Sequence, residues 1–320
     1  MVIAYKMSDF TFKKTGTTAA DPAKTFVGKV RSQKSPLVGT ILTIPSITVA
    51  QLVGQSDSDV VMIDMEHAPQ PMEVVTQMIH AYAAASRGRG FPLIRIPSHG
   101  VEWIKWALDS GSAGIIVPMV NDVGEMKTII DRALYPPHGR RSFGPIAAPY
   151  AHPEGPKAEG GQAGYFERAR NGSIALLPMI ESKDGLKDVE AIVSLHGVSG
   201  VLVGPADLRL SLGLPVGIDG PEPDFVDALK KIVGAAKKHG KVVGIVALGE
   251  DAISKRAAEG FGYILSAFDA GSLMSGLTTE LTTARRVVSG DLERTGGCRL
   301  GRGWNGEALI APGGDSKVSA

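Results

Sequence analysis

Short apolar runs recur along the chain, and each is followed by a segment with helical periodicity. There are eight runs of five to eight residues, most of them nearly continuous in Val, Ile, Leu and Met. Such continuity is typical of parallel strands that are buried on both faces. The predicted strands are Leu37–Thr43, Asp59–Met65, Phe91–Ile96, Ala113–Met119, Ile174–Glu181, Gly200–Gly204, Lys241–Ala247 and Phe261–Ala267.

Amphipathic segments fill the gaps between these strands. In Glu73–Ser86, the apolar residues Val74, Met78, Ile79 and Tyr82 fall at helical spacing. The same spacing predicts further helices at Val101–Leu108, Val123–Leu134, Leu186–Leu195, Phe225–His239 and Asp251–Glu259.

The alternation of strand and helix predicts an α/β fold, a single (β/α)8 TIM barrel. The alternative is an open doubly wound sheet. That alternative is weakened because no G-x-G-x-x-G turn follows any predicted strand, and a P-loop is also absent.

Segments outside the alternation suggest how the chain is divided. We predict an N-terminal extension at residues 1–35, a catalytic barrel at 36–295 and a flexible, Gly-rich C-terminal tail at 296–320. Tyr135–Ser173 is a long insertion after the fourth strand, rich in Gly and Pro. Loops of that length are usually functional or disordered. Simple surface connection remains the alternative for the insertion and the tail.

Composition narrows the class of protein. Lys and Arg total 34 against 33 acidic residues, and no basic stripe indicates a nucleic-acid partner. The single cysteine, Cys298, excludes an intrachain disulfide framework and a multi-cysteine zinc site. No apolar run approaches the roughly 20 residues that span a bilayer, and the N-terminus lacks the apolar core of a signal peptide. We therefore expect a cytoplasmic protein with no membrane partner.

Ionisable residues follow directly after four of the predicted strands. In a barrel, the chemistry takes place at the carboxyl ends of the strands, so these residues should share one edge. A charge next to an apolar run is costly unless it is used. The residues are Asp64, Glu66 and His67 after the second strand, Arg95 after the third, Glu181 after the fifth and Asp207 after the sixth.

Glu181 and Asp207 are the candidate metal ligands. They follow neighbouring strands, and two carboxylates with open coordination positions suit a hard cation such as Mg²⁺ or Mn²⁺. The open positions would accept water and a chelating substrate. The alternative is that each carboxylate only caps the helix that follows, as Asp207 could do for Leu208–Leu212.

Arg95 and His67 are the candidate catalytic side chains. The planar guanidinium of Arg95 suits a carboxylate or a developing enolate oxygen, and its alternative role is a buried ion pair with Asp64 or Glu66. His67 could exchange protons near neutral pH. A lone histidine beside a glutamate is more often structural, so its place beside the other ionisable residues is what supports a catalytic role.

At these residues the sequence resembles the HpcH/HpaI aldolase and citrate lyase family. The order and spacing of the motifs agree over roughly Leu37 to Ser289. The matching motifs are Ile63–Pro69, Arg95–Pro97, Leu108–Gly111, Val117–Val120, Tyr135–Arg141, Met179–Glu181 and Gly204–Leu208.

This resemblance implies a metal-dependent class II pyruvate aldolase, often a homohexamer. It implies that Glu181 and Asp207 hold Mg²⁺ or Mn²⁺, which chelates a small keto acid such as pyruvate or oxaloacetate. It further implies that Arg95 stabilises the enolate oxygen and that His67 works through a metal-bound water. Asp109 belongs to the motif that reaches a neighbouring subunit's site in relatives and supports the histidine there.

Further site residues rest on the resemblance. Asp64 is placed with the catalytic group, and the start of the helix at Pro205 and Ala206 is expected to bind the substrate carboxylate. The insertion, the Arg141–Phe143 run and Tyr165 are most similar to the macrophomate synthase branch. By that likeness Tyr165 is expected on the substrate side.

Two reactions pass through the same enolate. The first is retro-aldol cleavage of a 2-keto-4-hydroxy acid to pyruvate and an aldehyde. The second is oxaloacetate decarboxylation, with or without bond formation to a second substrate. A coenzyme A-thioester lyase would need a nucleotide-binding surface for which the sequence has no marker. A non-catalytic barrel used for binding is the alternative from another class, and the intact set of ionisable residues argues against it.

Overall fold

A closed barrel of eight parallel strands forms the centre of the molecule. The structure, a computed structural model, describes residues 24–151 and 160–289. Each strand pairs with the next along the chain, and β8 pairs with β1. The predicted (β/α)8 barrel is confirmed, and the open sheet is wrong. The strands are β1 Leu37–Leu42, β2 Val60–Asp64, β3 Phe91–Arg95, β4 Gly114–Val117, β5 Ala175–Ile180, β6 Gly200–Val203, β7 Val242–Val246 and β8 Tyr263–Phe268.

Eleven helices are found among the described residues, and all six that the sequence predicted are present. Five helices were not predicted from the apolar spacing: α1, α2, α6, α8 and α11. The helices are α1 Phe26–Ser32, α2 Ile47–Gln55, α3 Met72–Ala85, α4 Val101–Asp109, α5 Val123–Ala133, α6 Gly161–Arg170, α7 Lys183–Ser194, α8 Pro205–Ser211, α9 Pro223–Lys238, α10 Glu250–Glu259 and α11 Asp269–Val288.

Alternate residues of each strand enter two different apolar layers. In β2, Val60 and Met62 belong to the cluster that fills the barrel, whereas Val61 and Ile63 pack against the surrounding helices. This division follows from the strand period of two. All four side chains are at most 1% exposed. Because both faces of the strand are buried, apolar and polar residues do not alternate along it.

Helix α1 closes the amino-terminal end of the barrel. Phe26 is 1% exposed, and its ring contacts Phe91 at the start of β3 and Tyr263 at the start of β8, with centroid distances of 6.0 and 5.1 Å. Phe26 and Val30 belong to the same apolar cluster as the inward strand residues. Part of the predicted N-terminal extension is therefore core.

The long insertion lies at this same end. It begins after α5, the helix that follows β4, and it leads into β5, so it connects a helix to the amino end of a strand. Its described part contains a single 3-10 turn at Ala148–Ala151 and α6. The described part of the insertion therefore lies away from the opposite, carboxyl-terminal edge of the strands.

The chain divides into two compact units, Met1–Ser272 and Leu273–Ala320. The barrel belongs to the first unit. The described part of the second is the remainder of α11, on which Leu273, Leu277 and Leu281 recur every four residues and are exposed. The predicted tail at 296–320 lies outside the described residues. Among residues 24–151 and 160–289, no helix is long and apolar enough to cross a membrane.

Replacement of Phe26 by alanine should destabilise the protein, because it empties the closed end of the barrel. Removing a buried phenylalanine typically costs about 3–5 kcal/mol. Urea unfolding followed by circular dichroism measures the change. The exposed Leu52 provides a control, since Leu52→Ala should change the free energy of unfolding by less than about 0.5 kcal/mol. Equal unfolding midpoints for Phe26→Ala and wild type would show that α1 does not support the barrel.

Candidate active site

Four strands bring the predicted residues to one edge of the barrel. Asp64 and Arg95 are the last residues of β2 and β3 and pair directly in the sheet register. Glu181 immediately follows β5, and Asp207 lies in the first turn of α8, after β6. Because all strands are parallel, these residues lie at the carboxyl-terminal edge, as the sequence predicted.

Arg95 is held by a buried ion pair with Asp64. Its Nε donates to Asp64 Oδ1 at 2.9 Å, and its Nη2 donates to Oδ2 at 2.6 Å. The third nitrogen, Nη1, lies 3.1 Å from Glu66 Oε2. Arg95 therefore forms the buried ion pair with Asp64 and Glu66 that was the alternative to a catalytic role. Asp64 occupies one edge of the guanidinium and leaves Nη1 directed toward the other carboxylates.

Asp64 also shapes the loop that carries His67. Its Oδ1 accepts hydrogen bonds from the backbone N–H groups of Glu66 and His67, at 3.0 and 3.4 Å. The side chain of Gln70 donates to the backbone oxygen of Asp64 at 2.8 Å. Asp64 is 2% exposed, so its contacts make it a support for the site.

Glu66 and His67 are neighbours at this edge. Glu66 Oε2 lies 3.9 Å from His67 Nε2, and the imidazole side chain is 64% exposed. Burial raises the pKa of Glu66 above its ordinary value, although the positive charges of Arg95 and His67 act in the opposite direction. Sequence reasoning gave Glu66 no role of its own, whereas the structure places its carboxylate between Arg95 and His67.

Glu181 is almost fully buried and is fixed from two sides. Its Oε1 accepts a hydrogen bond from the backbone N–H of Met119 at 2.6 Å. Its Oε2 lies against Gly204, where an added Cβ would come within 2.1 Å of it. Burial raises the pKa of Glu181 to about 7, and the negative charges of Glu66 and Asp207 act in the same direction.

Neither candidate ligand caps a helix. Ser182 caps α7 by accepting from the Gly185 N–H at 3.0 Å, and Gly204 occupies the capping position of α8. Asp207 is exposed, and none of the residues that the structure describes donates a hydrogen bond to its carboxylate. The capping alternative is therefore wrong for both Glu181 and Asp207.

The donor set fits a hard divalent cation. Glu66 and Asp207 lie close enough to Glu181 for their negative charges to raise its pKa. The positive charge of Arg95 lowers the pKa of both Glu66 and Glu181, and His67 also lowers that of Glu66. Over residues 24–151 and 160–289, no group of three or more His, Cys, Asp or Glu side chains is arranged to hold a metal ion. The protein would thus supply few ligands, and open positions suit Mg²⁺ or Mn²⁺.

Asp109 and Tyr165 lie at the other end of the barrel. Asp109 is the last residue of α4 and forms an ion pair with the buried Arg141. Arg141 donates to the Tyr165 hydroxyl at 3.0 Å, which in turn donates to the Leu108 backbone oxygen at 2.5 Å. Within one chain these residues do not reach the edge that carries Glu181. The role of Asp109 beside a neighbouring subunit stays a prediction. The substrate-side position expected of Tyr165 is wrong within one chain, because its hydroxyl is buried against Arg141 and Leu108.

Two cavities also lie at the amino-terminal end. One, of about 130 Å³, is bordered by Phe26, Phe91 and Tyr165. The other, of about 330 Å³, is bordered by Tyr135 and Lys241 among others. Neither of these two cavities is bordered by Glu66, Glu181 or Asp207.

Met119 is a site residue that sequence reasoning missed. It contributes a backbone N–H, which every residue except proline carries, so its side chain gives no signal. The position at the end of a predicted strand was the one available indication. Pro205 and Ala206, by contrast, are found where expected, as the first residues of α8 next to Asp207.

Glu181→Gln should stabilise the metal-free protein at high pH. The folded-state pKa of Glu181, about 7, lies above the ordinary value of 4.5, so the folded protein binds this proton more tightly than the unfolded chain. The free energy of unfolding should therefore fall as the pH rises from about 4 to 7. At pH 8 the variant should be more stable than wild type by about 1–3 kcal/mol, with little difference near pH 4.

Urea unfolding in a chelating buffer measures this difference. Glu73→Gln, at an exposed position in the first turn of α3, is the control for a change of charge alone. If the metal-free Glu181→Gln variant were less stable than wild type at pH 8, the buried carboxylate would not be under the repulsion described above.

Comparisons with known proteins show which family and which relatives this chain is similar to. The family model for HpcH/HpaI aldolase/citrate lyase matches residues 44–276. The chain is similar to a hydroxypyruvate/pyruvate aldolase of Rhizorhabdus wittichii, with 32% identity over 82% of this chain and 100% of the relative. It is also similar to a 2-keto-3-deoxy-L-rhamnonate aldolase of Salmonella gallinarum, with 28% identity over 79% of this chain and 90% of the relative.

Solved structures of the family share the fold. Macrophomate synthase matches with a TM-score of 0.73 and 27% identity, over 89% of this chain and 99% of the neighbour. A family protein from Burkholderia cenocepacia matches with a TM-score of 0.71 and 28% identity, over 81% of this chain and 98% of the neighbour. The chain therefore belongs to the HpcH/HpaI aldolase/citrate lyase family, a family of carbon–carbon lyases.

Proposed function

We propose that this protein is a divalent-metal-dependent lyase that cleaves a 2-keto-4-hydroxy acid to pyruvate and an aldehyde. The observation that supports this most is the pairing of the buried Glu181 with the exposed Asp207 on neighbouring strands, next to the guanidinium of Arg95. Two carboxylates alone would repel an anionic keto acid. A cation held between them reverses that repulsion.

Glu181 and Asp207 would hold Mg²⁺ or Mn²⁺. When bound, the cation supplies Lewis-acid polarisation of the keto oxygen of the substrate. Glu181 is rigid because Met119 and Gly204 confine it, whereas Asp207 is exposed on the first turn of α8. Pro205 and Ala206 lie next to Asp207, and we assign them to the binding of the substrate carboxylate.

Arg95 would stabilise the negative charge of the enolate oxygen. Asp64 fixes its orientation, so the guanidinium needs no reorganisation when charge develops. Nη1 would take this role, because Nε and Nη2 both bind Asp64, and it would do so beside Glu66 Oε2 at 3.1 Å. The 2.6 and 2.9 Å hydrogen bonds to one carboxylate make a fork that lysine cannot reproduce.

His67 would act as the base for the substrate's 4-hydroxyl group. Its exposed imidazole projects from the loop that Asp64 organises, and its Nε2 lies 3.9 Å from Glu66 Oε2. Retro-aldol cleavage requires removal of that hydroxyl proton, and a histidine can exchange it near neutral pH. Asp109 would support the histidine of another subunit in a homo-oligomer, with a hexamer as the expected size.

Oxaloacetate decarboxylation, with or without addition to a second substrate, is the second candidate. The fold match to macrophomate synthase favours it. Both reactions need the same metal ligands and Arg95. They differ in the need for a base, because decarboxylation releases CO₂ without removing a hydroxyl proton.

Removal of divalent metal should abolish pyruvate formation. Activity lost in EDTA should return with Mg²⁺ or Mn²⁺, and Glu181→Gln and Asp207→Asn should each weaken Mn²⁺ binding. Supporting groups around a metal already cost about 10–100-fold when lost, so a direct ligand should cost at least that. Product assays and Mn²⁺ titrations measure both effects. Full turnover of metal-free enzyme would contradict the proposal, and normal Mn²⁺ affinity in both variants would show that other residues hold the metal.

Arg95→Lys should lower kcat more than it changes KM. The lysine keeps the positive charge but loses the fork that Asp64 orients, and an oxygen that gains charge in the transition state is affected most. Loss of one such donor typically costs on the order of 10²–10³-fold. Arg140→Lys, at an exposed ion pair with Asp131, is the matched control. A change confined to KM would make Arg95 a ground-state carboxylate binder.

His67→Ala should suppress aldol cleavage far more than oxaloacetate decarboxylation. General-base assistance is worth about 10²–10⁴-fold, and only the aldol reaction needs a base at the hydroxyl. The measurement is kcat/KM for both reactions, with His196→Ala at the amino-terminal end as the control. Equal losses in the two reactions would mean that His67 orders the site and does not move a proton.

A further inference from the structure

Met119 has an unusual backbone conformation at the candidate site. Its φ is 49°, in the left-handed region, and Arg87 is the one other non-glycine residue with positive φ among those described. Residues with a side chain rarely adopt this conformation, and they keep it when the surrounding structure enforces it. In Met119 the conformation directs the backbone N–H to Glu181 Oε1, at 2.6 Å.

The side chain of Asn121 holds Met119 in place. Its Nδ2 donates to the backbone oxygen of Met119 at 3.0 Å, and its Oδ1 accepts from the hydroxyl of Ser182 at 2.5 Å. The amide orientation follows from the partners, because a backbone oxygen can only accept. The Ser182 hydroxyl accepts in turn from the Gly185 N–H, so its proton is free to point at Asn121.

The flanking residues are anchored independently. The backbone N–H of Asn121 donates to Glu125 Oε2 at 2.8 Å, and the Pro118 oxygen lies 2.7 Å from His99 Nε2. The residues on either side of Met119 therefore have their own partners. His99 acts on the peptide unit that carries the Met119 N–H, because the Pro118 carbonyl and that N–H share one planar peptide bond. Asn121 is the one described side chain that binds the carbonyl oxygen of Met119, on the other side of its Cα.

We propose that Asn121 is a positioning residue for Glu181. Its amide keeps Met119 left-handed, Met119 then holds Glu181 Oε1 through its N–H, and Oε2 is left toward Gly204 and the Asp207 side. Ser182, the residue after Glu181, completes this chain of contacts, because its hydroxyl donates to the amide oxygen of Asn121 and so fixes that side chain. This inference rests on the proposed role of Glu181 as a metal ligand.

The proposal assigns the effect to the backbone of Met119. Its side chain is 43% exposed and is not needed for the hydrogen bond. Without the Asn121 amide, no described side chain holds the carbonyl oxygen of Met119, so Met119 should relax toward negative φ. The shift this forces on the adjoining Pro118–Met119 peptide unit should weaken the hydrogen bond from its N–H to Glu181. Glycine adopts positive φ without penalty, whereas alanine shares the preference of methionine. Substitutions at position 119 can therefore separate the backbone effect from the loss of a side chain.

The test is Mn²⁺ binding to the metal-free full-length protein, followed by electron paramagnetic resonance. Asn121→Ala should raise the Mn²⁺ Kd by about 10–100-fold, the range seen when a supporting partner of a metal ligand is lost. Adding Met119→Gly to Asn121→Ala should restore at least part of the affinity, and adding Met119→Ala should not. Thermal unfolding of each variant shows whether the fold is unchanged, since a purely structural role would lower Tm without this pattern of rescue.

Glu181→Gln separates failure of this inference from failure of the proposed function. If Glu181→Gln binds Mn²⁺ normally, the metal assignment itself is wrong. If Glu181→Gln loses Mn²⁺ but Asn121→Ala binds it like wild type, the positioning role is overturned. Equal affinities for the glycine and alanine double variants would also overturn it.

A second pair of variants covers the case in which Asn121→Ala does not fold. Ser182→Thr keeps the hydroxyl that fixes Asn121, and Ser182→Ala removes it. The alanine variant should bind Mn²⁺ more weakly than the threonine variant. Equal affinities in this pair would contradict the proposed chain of contacts.

Discussion

Repulsion among carboxylates at one edge of the barrel is the constraint around which the site is organised. Glu66, Glu181 and Asp207 converge there, and burial of Glu181 raises its pKa to about 7. A buried charge of this kind is unfavourable for folding, so it persists where binding or catalysis uses it. In the proposed function, a divalent cation bound together with an anionic keto acid beside Arg95 relieves this repulsion.

Other residues of the barrel fix the positions of Arg95, His67 and Glu181. Asp64 binds Arg95 through two hydrogen bonds and also the backbone of the loop that carries His67. One buried carboxylate therefore orients both of the side chains that we propose to be catalytic. Gly204 gives Glu181 the room that any side chain would occupy. The opposite end is apolar, because Phe26 and Val30 of α1 pack into the barrel mouth. The unfavourable charge and this apolar packing therefore lie at different ends of the barrel.

The sequence predicted the barrel because every strand is buried on both faces and therefore reads as a continuous apolar run. It also predicted which ionisable residues share an edge, since parallel strands end on the same side. It did not predict α1 as core, because a short helix such as Phe26–Ser32 has little periodicity of its own. It could not find Met119, whose contribution is a backbone N–H in a strained conformation. Asp109 and Tyr165 lie away from the edge because α4 and the insertion both end at the amino-terminal side.

The most direct test of the account is exchange of the methyl protons of pyruvate for deuterium in D₂O, followed by proton NMR without any aldehyde. Exchange reports formation of the enolate, which both candidate reactions share. The account predicts exchange by wild-type enzyme with Mg²⁺ or Mn²⁺, and none above background in EDTA or in Glu181→Gln. Equal exchange with and without metal, or in Glu181→Gln at wild-type rates, would contradict the metal-stabilised enolate on which the account depends.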